Sequence, residues 1–112
     1  MAVDKSLISG STGMLILKLL SEKDMYGYEM IEALEKKSNQ VFQLKAGTLY
    51  PLLHSLVEKG YLTFYEQEAN GKMRKYYSIT KTGRRFLEDK VKEWEEYQNA
   101  VTNVLGGLAI CN

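Results

Sequence analysis

The sequence predicts a mostly helical α+β domain: three short helices, a two-stranded antiparallel hairpin and one long C-terminal helix. Three observations carry that prediction. Apolar residues recur at helical spacing through the first half of the chain, period-two runs flank Asn70-Gly71, and apolar residues return every three or four positions from Leu87 to Leu105. The length, 112 residues, suits one domain, and 45% hydrophobic with 26% charged residues is ordinary globular composition.

Ser11 or Thr12 can cap the first helix, whose stripe is Leu15, Ile16, Leu19 and Leu20 and which should end before Lys23-Asp24. Gly27 interrupts Met25-Tyr26-Gly27-Tyr28. Tyr28, Ile31 and Leu34 then mark a short second helix, broken at Lys37-Ser38-Asn39. The third helix is the clearest, with Leu49, Leu52, Leu53, Leu56 and Val57 on one face and Gly60 as its C-terminal cap. Pro51 suits a first turn, so this helix should begin near Gly47 or Thr48 and expose Thr48, Tyr50, Pro51, His54 and Ser55.

Leu62 and Phe64 share a face of the first strand, and Lys75, Tyr77 and Ile79 share a face of the second. Asn70-Gly71 between them is a tight-turn signal. Alternation sets Tyr76 and Tyr77 on opposite faces, Tyr77 in the core and Tyr76 nearer the surface. Thr80 is an N-cap for a last helix reaching about Gly106-Gly107. Its seam of Leu87, Val91, Trp94, Gln98, Val101 and Leu105 has a period near 3.5, which suits pairing with another helix. The division expected is residues 1–80 for the first unit and 81–112 for a dimerisation helix, the two forming one compact body.

Net charge is only +1, but its distribution is uneven. Six cations and no acid lie between Asn70 and Arg85, whereas five acids face two lysines from Phe86 onward. A polar-faced helix followed by a basic hairpin is the order of a winged helix-turn-helix. The major groove admits one such helix while flanking phosphates attract cations. Lys72, Arg74 and Lys75 are therefore expected on phosphates or in the minor groove, against the bland reading of a solvated hairpin tip.

Lys45-Ala46-Gly47-Thr48-Leu49-Tyr50-Pro51-Leu52-Leu53, then Leu56-Val57-Glu58-Lys59-Gly60-Tyr61-Leu62, then Arg74-Lys75-Tyr76-Tyr77-Ser78-Ile79-Thr80-Lys81-Thr82-Gly83 resemble the PadR family of transcriptional regulators. Tyr26-Gly27-Tyr28-Glu29 matches the family's junction between first and second helices, and the resemblance spans roughly residues 10 to 105. It implies a prokaryotic repressor, dimeric through its C-terminal helix and released from a palindromic DNA operator by a small molecule. The single C-terminal helix resembles the smaller subgroup, some members of which hold flat aromatic compounds at the dimer interface, so Trp94 is a candidate for stacking on such a ligand. The resemblance also sets Lys45, Thr48 and Tyr50 on the recognition helix. His54, read as having no carboxylate nearby in sequence, is expected at the groove or half-buried.

Other classes fare worse. A winged helix that binds protein instead of DNA is the alternative, but it has no need of an acid-free basic block. One histidine, one terminal cysteine (Cys111) and no glycine-rich phosphate loop build neither an enzyme site, a metal site nor a cofactor site. The absence of a long apolar run or a signal-peptide core points to the cytoplasm and away from the membrane.

Overall fold

The computed structural model describes residues 11–106. In chain order these form α1 (Thr12–Glu22), β1 (Met25–Tyr26), α2 (Gly27–Lys37), α3 (Ala46–Glu58), β2 (Leu62–Ala69), β3 (Lys72–Ile79) and α4 (Lys81–Val104). The last helix ends at Val104, just short of the expected Gly106-Gly107, with Gly106 at φ +78° beyond its cap, while Gly107 and Cys111 lie outside the described residues.

One core joins all the elements. Ile16, Leu17, Leu19 and Leu20 of α1, Met30 and Leu34 of α2, Leu49, Leu53 and Leu56 of α3, Leu62, Tyr77 and Ile79 of the hairpin, and Leu87 of α4 are buried together. Leu17 was absent from the expected stripe because α1 is covered on more than one side; Leu17 is 0% exposed. In α2 the buried positions are Met30 and Leu34, while Tyr28 is 58% exposed, so the stripe turns one residue-pair away from the predicted one. Tyr28 instead reaches along its own helix to Glu32, whose hydrogen bond raises the phenol above its ordinary range.

Helix α3 begins at Ala46, one or two residues earlier than expected. The Lys45 carbonyl accepts from the amides of both Thr48 and Leu49, at 3.0 and 2.9 Å, which closes the first turn before Pro51 is reached. Pro51 then falls inside the helix and withholds the N–H that would reach the Gly47 carbonyl. The far end closes with a Schellman motif: Gly60, at φ +82°, donates to the Val57 carbonyl and Tyr61 to that of Leu56, each at 3.0 Å.

The sheet has three strands in the order β1-β3-β2, one more than predicted. The hairpin turns on Asn70 and Gly71, both at positive φ (54° and 80°), the two-residue geometry whose twist matches paired strands. Met25 pairs with Tyr77 and Tyr26 with Tyr76, so β1 adds a third rung to the root of the hairpin. Across the sheet, Met25, Tyr77 and Phe64 form a row on the core side, and Tyr26, Tyr76 and Tyr65 a row on the other. Tyr77 is buried and Tyr76 half-buried, as the alternation requires.

Candidate nucleic-acid interface

The outer surface of α3 is polar and open. Lys45, Thr48, Tyr50, Pro51 and His54 are all exposed, on the side away from Leu49, Leu53 and Leu56. By helical spacing the stripe farthest from the core is Gly47, Pro51, His54 and Glu58. A Cβ at Gly47 would meet nothing within 4 Å, so nothing in the domain crowds that stripe. His54 has a neighbour the sequence reading overlooked: its Nε2 lies 3.5 Å from Oε1 of Glu58, one turn on, with both side chains well exposed. Exposed pairs of this kind contribute little to stability.

Tyr50 does not extend straight from that stripe. Its phenol lies against the first turn of α2, where the hydroxyl and ring occupy the space that a Cβ on residue 27 would need, which is why glycine stands there. Gly27 therefore does more than break a pattern. It lets α3 seat its tyrosine on the start of α2.

The wing carries its cations on both faces. Lys72 and Lys75 are exposed and Arg74 is half-buried. Lys75 sits with Nζ 4.5 Å from the centroid of the Phe64 ring, and Arg74 with Cζ 5.1 Å from that of Tyr26. Acid-free in sequence, the block is not acid-free in space: the register sets Glu66 opposite Lys75 and Glu68 opposite Met73. The hairpin thus sets the two acids of β2 across from the cations of β3, of which Arg74 and Lys75 line a cleft with Tyr50 of α3.

The non-core face of the sheet is an aromatic ladder. Tyr26 meets Tyr76 edge-on at 5.4 Å, and Tyr76 stacks on Tyr65 at 5.7 Å. Tyr65 donates from its hydroxyl to Oδ2 of Asp24 at 2.8 Å, a bond that raises the phenol above its ordinary range. Burial, then the charge of Glu29, raises Tyr76, against which Arg74 pulls downward. The ladder fixes the root of the wing to the junction between α1 and α2.

Helix α4 starts where predicted. The Thr80 hydroxyl accepts from the Gly83 amide at 2.9 Å and donates to the Gly60 carbonyl at 2.7 Å, while the Thr80 amide donates to the Tyr61 carbonyl at 3.0 Å. Gly83 passes so close that a Cβ would collide with the Tyr61 carbonyl, and Phe86 stacks on Tyr61 at 4.2 Å. The end of α3 and the start of α4 are one joint. Arg84 adds a tie to α1 through Nη1, which donates to the Ser21 carbonyl at 3.3 Å.

Of the six seam residues, Leu87 belongs to the domain's own core at 7% exposure, and Val91 is half-buried beside it. Trp94, Gln98, Val101 and Leu105 are exposed. The apolar face they share also includes Tyr97 and Val104, at 60% and 86% exposure, which a strict 3.5-residue count passed over. A wider stripe, taking in the positions three residues on from Trp94 and Val101 as well as those four on, would have found both.

Among the described residues no three His, Cys, Asp or Glu side chains group into a metal site, and no helix is long and apolar enough to cross a membrane. A helix pair presenting one polar-faced helix, joined to a twisted basic hairpin, defines a winged helix-turn-helix domain of the kind that docks on duplex DNA. The model of the transcriptional regulator PadR-like family matches residues 16–89, and the chain belongs to that family. Members of the family bind DNA, and the protein is a transcriptional regulator, not an enzyme. It is 36% identical over 107 residues to an uncharacterized protein X of Lysinibacillus sphaericus, covering 95% of this chain and 98% of that one. The negative transcriptional regulator PadR of Bacillus subtilis is 29% identical over 75 residues, which are 66% of this chain and 41% of that protein. A transcriptional regulator from Clostridium thermocellum superposes with a TM-score of 0.84 at 31% identity, covering 91% of this chain and 97% of that chain.

Proposed function

We propose that the protein is a homodimeric repressor, paired through the far part of α4, that occupies a palindromic operator and is released from it by a small flat aromatic compound. One observation carries the dimer. Trp94, Tyr97, Val101, Val104 and Leu105 leave a continuous apolar face on a helix that has run past its own domain, and a second copy can cover it by two-fold symmetry. Residues 81–112 then act as the dimerisation helix and residues 1–80 as the DNA-binding unit. Two recognition helices reach half-sites about one helical turn, roughly 34 Å, apart.

Lys45, Thr48, Tyr50 and His54 of α3 face the DNA in this reading, with Lys72, Arg74 and Lys75 on the phosphates. Repression follows from occlusion of a promoter, consistent with the negative regulation for which the B. subtilis relative is named. The aromatic effector has a platform in Trp94 and Tyr97, whose rings stack 6.1 Å apart on the exposed face. A regulator of chromosomal DNA works in the cytoplasm.

Selection of bound fragments from the source genome, followed by gel shift, tests the reading. Enrichment of one palindromic sequence supports it, and enrichment no better than random fragments overturns it. Salt titration adds the wing: Lys72→Ala should lower the slope of log affinity against log salt by about one. A compound that quenches Trp94 fluorescence should also weaken operator binding.

A further inference from the structure

We propose that Arg74 and Tyr50 together form a seat for one phosphodiester of the DNA backbone, in the cleft where α3, the start of α2 and β3 meet. This rests on the reading that the protein binds duplex DNA, and it gives Tyr50 a different task from base recognition.

The cleft measures about 240 Å³ and is lined by Tyr26, Gly27, Tyr50, Arg74 and Lys75, among others, with no carboxylate in its wall. It is smaller than the roughly 300–1,000 Å³ of pockets that enclose organic ligands, and its lining of cations and phenols selects an anion. Arg74 is held flat against Tyr26, with Cζ 5.1 Å from the ring centroid. Its Nε is sealed from solvent with no hydrogen-bond partner, and no ion pair joins it to an acid among the described residues. That Nε is closed to an incoming oxygen, so the terminal Nη pair is what the guanidinium offers the cleft, and its planar geometry matches two oxygens of a phosphate. The nearest acid along α2, Glu29, accepts from the Tyr26 amide at 3.2 Å through Oε1.

Tyr50 supplies the second donor. Its phenol is fixed on Gly27, which has no side chain to displace it, and its hydroxyl makes no hydrogen bond within the described residues. The α3 stripe that would lie deepest in a groove is Gly47, Pro51 and His54. Tyr50 stands off that stripe, on the side of α2 and β3, where the strand bordering the groove must pass. A hydroxyl and a guanidinium that converge there meet backbone oxygens and not base edges.

The test uses the full chain and duplexes of the selected operator in which single phosphates are replaced by uncharged methylphosphonates. For the wild type, one position in each half-site should cost roughly tenfold in affinity, the scale of a lost hydrogen bond to a charged group. Tyr50→Phe removes only the hydroxyl and Arg74→Lys keeps the charge but loses the fork. In both variants the penalty at that position should shrink to less than about threefold while penalties elsewhere persist. An undiminished penalty overturns the seat. So does a Tyr50→Phe protein that becomes indifferent to one base pair while keeping the full phosphate penalty, since Tyr50 then reads a base. A wild-type protein that binds no duplex is a separate result, one that removes the DNA-binding reading itself.

Discussion

The two parts of α4 share one helix and one apolar periodicity, yet they meet opposite surroundings. From Lys81 to Val91 the helix is built into the domain: Gly83 lies against Tyr61, Phe86 stacks on the same ring, and Leu87 is buried in the core. From Trp94 to Leu105 the same face carries two aromatic and three aliphatic side chains that stand exposed among the described residues. The difference teaches that spacing alone marks which side of a helix is buried, not what buries it. The first part has the contacts of a core, whereas the second has the composition of a surface awaiting a partner.

Substitutions in the two parts should therefore fail in different ways. The largest effect is expected at Leu87→Ala, which removes buried methyl groups from the shared core and should cost about 2–5 kcal/mol in urea unfolding. The loss should be the same at any protein concentration if the dimer survives. A cost below about 1 kcal/mol would mean that the start of α4 is not part of the core.

Gly83→Ala comes next. Its methyl meets the Tyr61 backbone, which cannot swing aside as a side chain could, so a destabilisation of about 1–3 kcal/mol is expected. Because Tyr61 closes α3 and Thr80 bridges Gly60 to Gly83, this variant should also weaken DNA binding by more than its stability loss explains. Normal operator affinity in the folded fraction would show that the joint holds the helices together without setting the angle of α3.

Trp94→Ala probes the other part. It should leave the folding of the protomer nearly intact yet shift sedimentation toward monomer, at a cost of about 2 kcal/mol or more in association if Trp94 anchors the interface. Tyr97→Ala should do the same to a smaller degree. A Trp94→Ala protein that remains a tight dimer at low concentration would move the interface off this face.

Much of this contrast was readable in advance, and the parts that were not share a cause. Helix α3, the Asn70-Gly71 turn and the Thr80 cap are local events in which the residues that decide the geometry sit within a few positions of one another. Strand β1 has only two residues, and what makes it a strand is the edge of β3 some fifty positions later. Leu17, Met30 and the difference between Leu87 and Val101 likewise depend on what packs from outside the helix. The cleft between Tyr50 and Arg74 needs three elements, and Gly27 announced it only as a break in a pattern. Glu58 beside His54 is the exception: an i, i+4 pair that was present in the sequence and passed over.

The smallest effect lies on the wing side of the comparison, far from α4. Tyr65, Tyr76 and Tyr77 all have their phenols raised, Tyr65 first by its bond to Asp24, Tyr76 and Tyr77 first by burial. A folded-state value above the unfolded one means that the native protein holds these protons more tightly. The stability so gained is complete below the ordinary tyrosine range near 10 and is lost as pH rises through the raised values. Stability should consequently fall at alkaline pH, with phenolate absorbance appearing later in native than in unfolded protein. Tyr65→Phe removes the bond to Asp24, should lower stability only slightly at neutral pH because the pair is exposed, and should flatten part of that alkaline decline. An unchanged alkaline profile in this variant would place the loss on Tyr76 and Tyr77, and so on the ladder's packing, leaving the tie between the wing and the α1–α2 junction without thermodynamic weight.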